Sequence, residues 1–154
     1  MAIYFYELDI GKIAIKERDG KITNLYFETD KLSDDIELKE TPILKKAAEQ
    51  LKSYFAGELV EFDLALAPEG TPFMQEVWKR LCEIPYGETA SYKDIAIKVG
   101  SPKAYRAIGL ANNRNPIPIL IPCHRVIGSD GSLVGYRGGL DLKTKLINLE
   151  KKRV

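Results

Sequence analysis

Apolar and polar positions alternate through the first third of the chain. Tyr4, Tyr6 and Leu8 share one parity, as do Ile13 and Ile15 and then Leu25 and Phe27. Period two is the mark of half-buried strands. Asp19-Gly20 separates two of these runs, and a glycine that accepts positive φ predicts a tight hairpin turn there. A polar, acidic link follows over residues 28–40. Thr41-Pro42 then opens a helix in which Leu44, Ala47, Ala48, Leu51 and Phe55 recur at helical spacing, and Gly57 ends it. Phe62, Leu64 and Leu66 alternate again as a short strand. Residues 1–67 therefore read as an N-terminal α/β domain with an antiparallel sheet. Pro68, Gly70 and Pro72 mark a joint, and residues 68–154 form a second domain.

In that second domain the period lengthens. Thr71 caps a helix with Phe73, Val77, Trp78 and Leu81 on its apolar side, broken by Pro85-Tyr86-Gly87. Ser91 and Asp94 make a capping box before Ile95, Ile97 and Val99, and Gly100 stops that helix. Ser101-Pro102 starts another, running to about Asn112. Two short helices joined by a tight turn predict a helix-turn-helix. A polar turn over 128–132 then suits a β-hairpin wing, and a last helix, 140–152, places Leu142, Leu146 and Leu149 inward. The expected fold is α+β: a sheet-bearing domain followed by a mostly helical, winged helix-turn-helix domain.

Charge changes this picture more than composition does. The net charge is +1, but residues 1–70 hold 9 Lys+Arg against 15 Asp+Glu, and residues 71–154 hold 14 against 7. The basic half suits a polyanion, while a dipolar protein with two solvated faces gives the same count. With 45% hydrophobic residues the chain can bury a core. No stretch approaches the roughly 20 apolar residues that span a bilayer. The first ten residues carry Glu7 and Asp9 and no basic stretch, so they read as a strand and not a secretory leader, and a cytoplasmic location is expected. Two distant cysteines and one histidine predict free thiols and no structural metal.

The chemistry concentrates in Asn115–Val126. Pro116, Pro118 and Pro122 fix φ on the approach to Cys123, which precedes His124, the one imidazole in the chain. A thiol needs a base to become a nucleophile, and an adjacent histidine oriented by a carboxylate supplies one. A small buried hydrophobe beside a core histidine is the plainer alternative. Arg125 suits an ion pair better than catalysis, and Cys82, on an amphipathic helix, suits inert packing.

Pro122-Cys123-His124-Arg125-Val126 resembles the active-site motif of the O6-alkylguanine-DNA alkyltransferases, also called methylated-DNA–protein-cysteine methyltransferases. Tyr86-Gly87 with Ser91-Tyr92, Pro102-Lys103-Ala104 with Arg106-Ala107, Asn115-Pro116, Gly135-Tyr136 and Gly138-Gly139-Leu140 extend the likeness from Thr71 to Glu150. The resemblance implies a ribonuclease-H-like N-terminal domain and a repair reaction. A methyl or other alkyl group passes irreversibly from O6 of a flipped-out guanine, or O4 of thymine, to Cys123, once per molecule and without a cofactor. It makes His124 the base acting through a water, Glu150 the carboxylate that orients it, and Asn115 the brace of the turn and the histidine. It makes Tyr92 the residue that helps rotate the nucleotide and protonates the departing guanine. Arg106 would fill the vacated stack. Lys93, Ser101, Ala107 and Ser129 would join Tyr92 and Arg106 in contacting the minor groove of double-stranded DNA. Tyr136, Arg137 and Gly138 would wall the base pocket, with Arg137 standing where some members have a small residue. A monomer is expected, with no membrane partner. Two other classes share parts of the pattern: a winged-helix regulator, which would gain no mass on Cys123, and a Cys-His acyl hydrolase, which would turn over.

Overall fold

Asp19 and Gly20 both adopt left-handed backbone, with φ of 52° and 77°. That geometry matches the twist of the strands it joins, β2 (Gly11–Arg18) and β3 (Lys21–Phe27). Ahead of them β1 (Ala2–Leu8) pairs antiparallel with β2. Tyr4, Ile15 and Leu25 lie in one cross-strand row and Tyr6, Ile13 and Phe27 in the next. The alternation in the sequence is thus a register. Helix α1 (Pro42–Phe55) packs on this sheet through Leu44, Ala47, Ala48, Leu51, Tyr54 and Phe55, each fully buried Leu contributing about 1.5–3 kcal/mol. Gly57 follows at φ 76°.

The computed structural model describes residues 1–32 and 35–153, in two units, Met1–Glu69 and Gly70–Val154. Ser33 and Asp34, within the acidic link, lie outside the described residues. The rest of that link holds an unexpected strand, β4 (Glu37–Leu38), which runs parallel to β1 and completes the sheet order β3-β2-β1-β4. Conversely, 62–66 is not a strand. Leu66 alone bridges to Ile22, and Gln50 of α1 takes the backbone at Asp63 instead: Asp63 N donates to Gln50 Oε1 at 2.9 Å and Gln50 Nε2 to Asp63 O at 3.2 Å.

In the second unit α2 (Pro72–Leu81) starts at Thr71, whose hydroxyl accepts from Met74 N. Trp78 is buried, and its Nε1 donates to Ala111 O at 2.9 Å. A Cβ on Gly70 would lie 2.4 Å from its ring, so only glycine fits there. A two-residue strand β5 (Ala90–Ser91) leads into α3 (Tyr92–Lys98), closed by both halves of the Ser91/Asp94 capping box. Gly100, at φ 80°, turns the chain toward α4 (Tyr105–Asn113). This helix starts later than its proline suggested, because Ser101–Ala104 closes a separate turn, Ala104 N donating to Ser101 O at 2.9 Å. The predicted wing keeps its turn, with Gly128 N bonded to Ser132 O at 2.8 Å. Its arms do not pair with each other: β6 (Val126–Ile127) runs parallel to β5 instead. Helix α5 (Leu140–Arg153) ends the unit. Among the described residues no helix is long and apolar enough to cross a membrane.

Candidate active site

The proline-framed approach to Cys123 is held from inside by one amide. Asn115 Oδ1 accepts from Ile117 N at 2.9 Å, and its Nδ2 donates to Ile121 O at 2.8 Å. Between these points Ile119 sits at φ 74°. A β-branched residue in left-handed backbone costs about 1–3 kcal/mol and persists only where its surroundings impose it. Here they are the two Asn115 bonds, an Ile121 N–Ile117 O bond of 2.9 Å and the buried side chains of Ile117, Ile119, Leu120 and Ile121. Asn115 thus braces the turn directly. A 3-10 turn, Cys123–Arg125, follows and brings three consecutive side chains into the interior.

Glu150, in the last turns of α5, meets two of them. Its Oε2 lies 2.7 Å from His124 Nε2, and Arg125 donates Nε to Oε1 at 2.7 Å and Nη2 to Oε2 at 3.0 Å. The third guanidinium nitrogen, Nη1, donates to Ile84 O at 2.7 Å, and Tyr86 stacks below the group at 5.7 Å. Arg125 is therefore an ion-pair partner, as the sequence suggested, and its bidentate fork holds the carboxylate ionised. An ionised carboxylate on Nε2 requires the proton on that nitrogen and leaves Nδ1 as the acceptor. Nδ1 is buried with no protein partner among the described residues. Burial lowers the His124 pKa, opposed by Glu150, so the resting imidazole is a neutral base.

Burial pushes the Cys123 thiol up, against the Asn115 amide and the positive charges of Arg137 and Lys143. At rest the sulfur is thus protonated and needs a base. Tyr92 is likewise held protonated, by burial first and then by the proximity of Cys123. Its hydroxyl donates to Val134 O at 3.1 Å, the same carbonyl that accepts from Lys143 Nζ at 2.9 Å. Together they tie the loop carrying Tyr136, Arg137 and Gly138 to α3 and α5. A cleft of about 330 Å³ opens beside it, lined by Tyr92, Tyr105, Arg106, Gly109 and Val134, a size that suits a small organic group.

The structure thus brings together Cys123, His124, Glu150 and Asn115, and sets Tyr92 and Arg137 close to the sulfur. Lys93, Arg106, Ala107 and Ser129 are exposed and Ser101 is half-buried, so none belongs to the buried cluster. Arg106 shares the cleft wall with Tyr92. Cys82 is exposed, against the expectation of inert packing on its helix. Leu142 and Leu149 are only half-buried. The inward stripe of α5 is Lys143, Leu146, Ile147 and Glu150, at i, i+3, i+4 and i+7. Lys143 was missed, although an inward Glu150 places the residue two turns earlier inward too. Asn112, buried on α4, was missed as well.

A family model described as "6-O-methylguanine DNA methyltransferase, DNA binding domain" matches residues 72–152, and one described as its "ribonuclease-like domain" matches residues 1–68. The chain belongs to this methyltransferase family. A methylated-DNA–protein-cysteine methyltransferase of Methanosarcina barkeri is 52% identical over 151 residues, covering 96% of each chain. The constitutive enzyme of that name from Bacillus subtilis is 48% identical, covering 94% of this chain and 92% of its own. Among solved structures, Mycobacterium tuberculosis OGT in complex with DNA superposes with a TM-score of 0.94 at 45% identity, over 99% of this chain and 94% of that one. At this similarity the family fold, a sheet-bearing ribonuclease-like domain followed by a helical DNA-binding domain, is that of this chain.

Proposed function

We propose that the protein repairs alkylated DNA by moving an alkyl group from O6 of a flipped-out guanine to Sγ of Cys123, once per molecule. The observation that carries this is the buried relay: Glu150 and Arg125 fix the His124 tautomer, so that Nδ1 is a free acceptor beside a buried, protonated cysteine. His124 takes the thiol proton through a water. The sulfur attacks the alkyl carbon in line, the C–O6 bond breaks, and guanine leaves with the electron pair. Tyr92 gives it a proton, which the proton taken up by His124 replaces by way of solvent. The net exchange is S–H and C–O for S–C and N–H. Proton transfer to the leaving group typically contributes a factor of about 10²–10⁴.

The remaining residues deliver the base. Unstacking an alkylated nucleotide costs a few kcal/mol. Arg106, exposed on α4 at the cleft wall, fills the gap, and Ala107 lets the helix approach the minor groove closely. Lys93, Ser101 and Ser129 contact the backbone. Tyr136, Arg137 and Gly138 wall the pocket, and the charge of Arg137 favours the thiolate as it forms. All of these residues fall in the domain assigned to 68–154. The protein works as a cytoplasmic monomer without a cofactor. A thioether does not hydrolyse under mild conditions, so guanine restored in a lesion-bearing duplex should rise to one equivalent per chain and stop. Continued turnover, or hydrolysis of an acyl ester by the same cysteine, would overturn the assignment.

A further inference from the structure

Helix α5 buries two ionisable residues two turns apart, and they are satisfied differently. The carboxylate of Glu150 is taken by His124 and Arg125. Lys143, 0% exposed, instead puts its Nζ on a neutral partner, the carbonyl of Val134, at 2.9 Å. Burial lowers its pKa. A methionine would fill the same space without desolvating an ammonium, so packing alone does not call for a lysine there. Val134 O also accepts from the Tyr92 hydroxyl, at 3.1 Å. A carbonyl has two lone pairs, so both bonds form together. In the alkyl transfer they part company. The Tyr92 proton passes to the guanine that leaves with the C–O6 electron pair, so the bond from Tyr92 to Val134 must open. Tyr92 and Val134 line the same cleft, and a base that fills it keeps water from taking the tyrosine's place on the carbonyl.

We propose that Lys143 is a positioning residue for the alkyl transfer: it holds the Val134 carbonyl, and with it the pocket loop, while Tyr92 turns its hydroxyl from that carbonyl to the leaving guanine. The reading rests on the function proposed above. With Lys143 present, Val134 O stays bonded before and during the transfer. Without it, the carbonyl is paired at rest and bare in the transition state. An interaction lost only in the transition state falls on the rate and not on the resting fold.

The test uses the full-length protein with K143M, and K143L as a second apolar variant. Single-turnover repair of an O6-methylguanine duplex should slow by about tenfold or more in both variants. Their melting temperatures should stay at or above that of wild type, because a desolvated charge has been removed. In a Tyr92→Phe background no hydroxyl leaves the carbonyl, so adding K143M should change the remaining rate by no more than about threefold. A lysine that only props the loop would cost melting temperature and rate together and slow both backgrounds by the same factor. That result, or K143M reacting at the wild-type rate, overturns the proposal. Neither touches the alkyl transfer itself, which fails only if Cys123 of the wild type stays unmodified by O6-methylguanine.

Discussion

Replacing Glu150 with alanine is expected to cost about 3–5 kcal/mol of folding free energy, because it strands a buried guanidinium rather than merely deleting a contact. Arg125 and Glu150 are both buried and share two hydrogen bonds of 3.0 Å or less. With the carboxylate gone, Arg125 keeps the Ile84 carbonyl and the Tyr86 face. Melting of the C-terminal unit should fall by roughly 12–40 °C. Glu150→Gln separates stability from chemistry. Its shape is retained, but an amide can donate to Nε2 and so favours the tautomer with the proton on Nδ1. Cys123 alkylation should then slow by about 100-fold or more, even where the fold survives. Thermal melts and single-turnover rates check both. A Glu150→Ala protein that melts with wild type would refute the buried-pair assignment.

Arg106→Ala should show the opposite pattern: an intact fold and a selective loss on duplex DNA. Arg106 is exposed on α4 and shares the cleft wall with Tyr92, so its removal leaves no cavity. In the proposed function it fills the stack vacated by the base, a process worth a few kcal/mol. Repair of O6-methylguanine in a duplex should slow by about 10–100-fold, while reaction with free O6-benzylguanine, which needs no flipping, should change by no more than about twofold. Equal losses on both substrates would place Arg106 in the chemistry instead.

Much of this site is legible without a structure because it rests on short-range rules. Asp19-Gly20 is a hairpin turn, Thr71 and Ser91 are caps, and the proline frame around Cys123 rules out a helix; each needs only neighbours in sequence. What was not legible depends on long-range partners. β4 consists of two exposed residues that pair with β1, so no apolar pattern marks it. The segment 62–66 alternates like a strand, yet its backbone is divided between Gln50 of α1, at Asp63, and Ile22 of β3, at Ala65. On α5, leucine spacing pointed to one face and the chemistry of Glu150 to another. The face with Glu150 is the buried one, and it carries Lys143 inside with it. Hydrophobicity alone ranks a lysine last for such a position; burial lowers its pKa, and the Val134 carbonyl gives its Nζ a partner at 2.9 Å. Asn112 escaped notice for a related reason, since buried asparagines stand out only when their partners are known.

The relay around Cys123 exists, in this account, to make one sulfur accept one alkyl group. The most direct measurement is the intact mass of the protein after incubation with an O6-methylguanine duplex, with peptide mapping of the product. Wild type should gain about 14 Da, the mass of a methyl group replacing a proton, on the peptide that contains Cys123. Cys123→Ala should bind the same duplex and gain nothing. Unchanged mass in folded wild type, or the gain on Cys82 instead, would contradict the account.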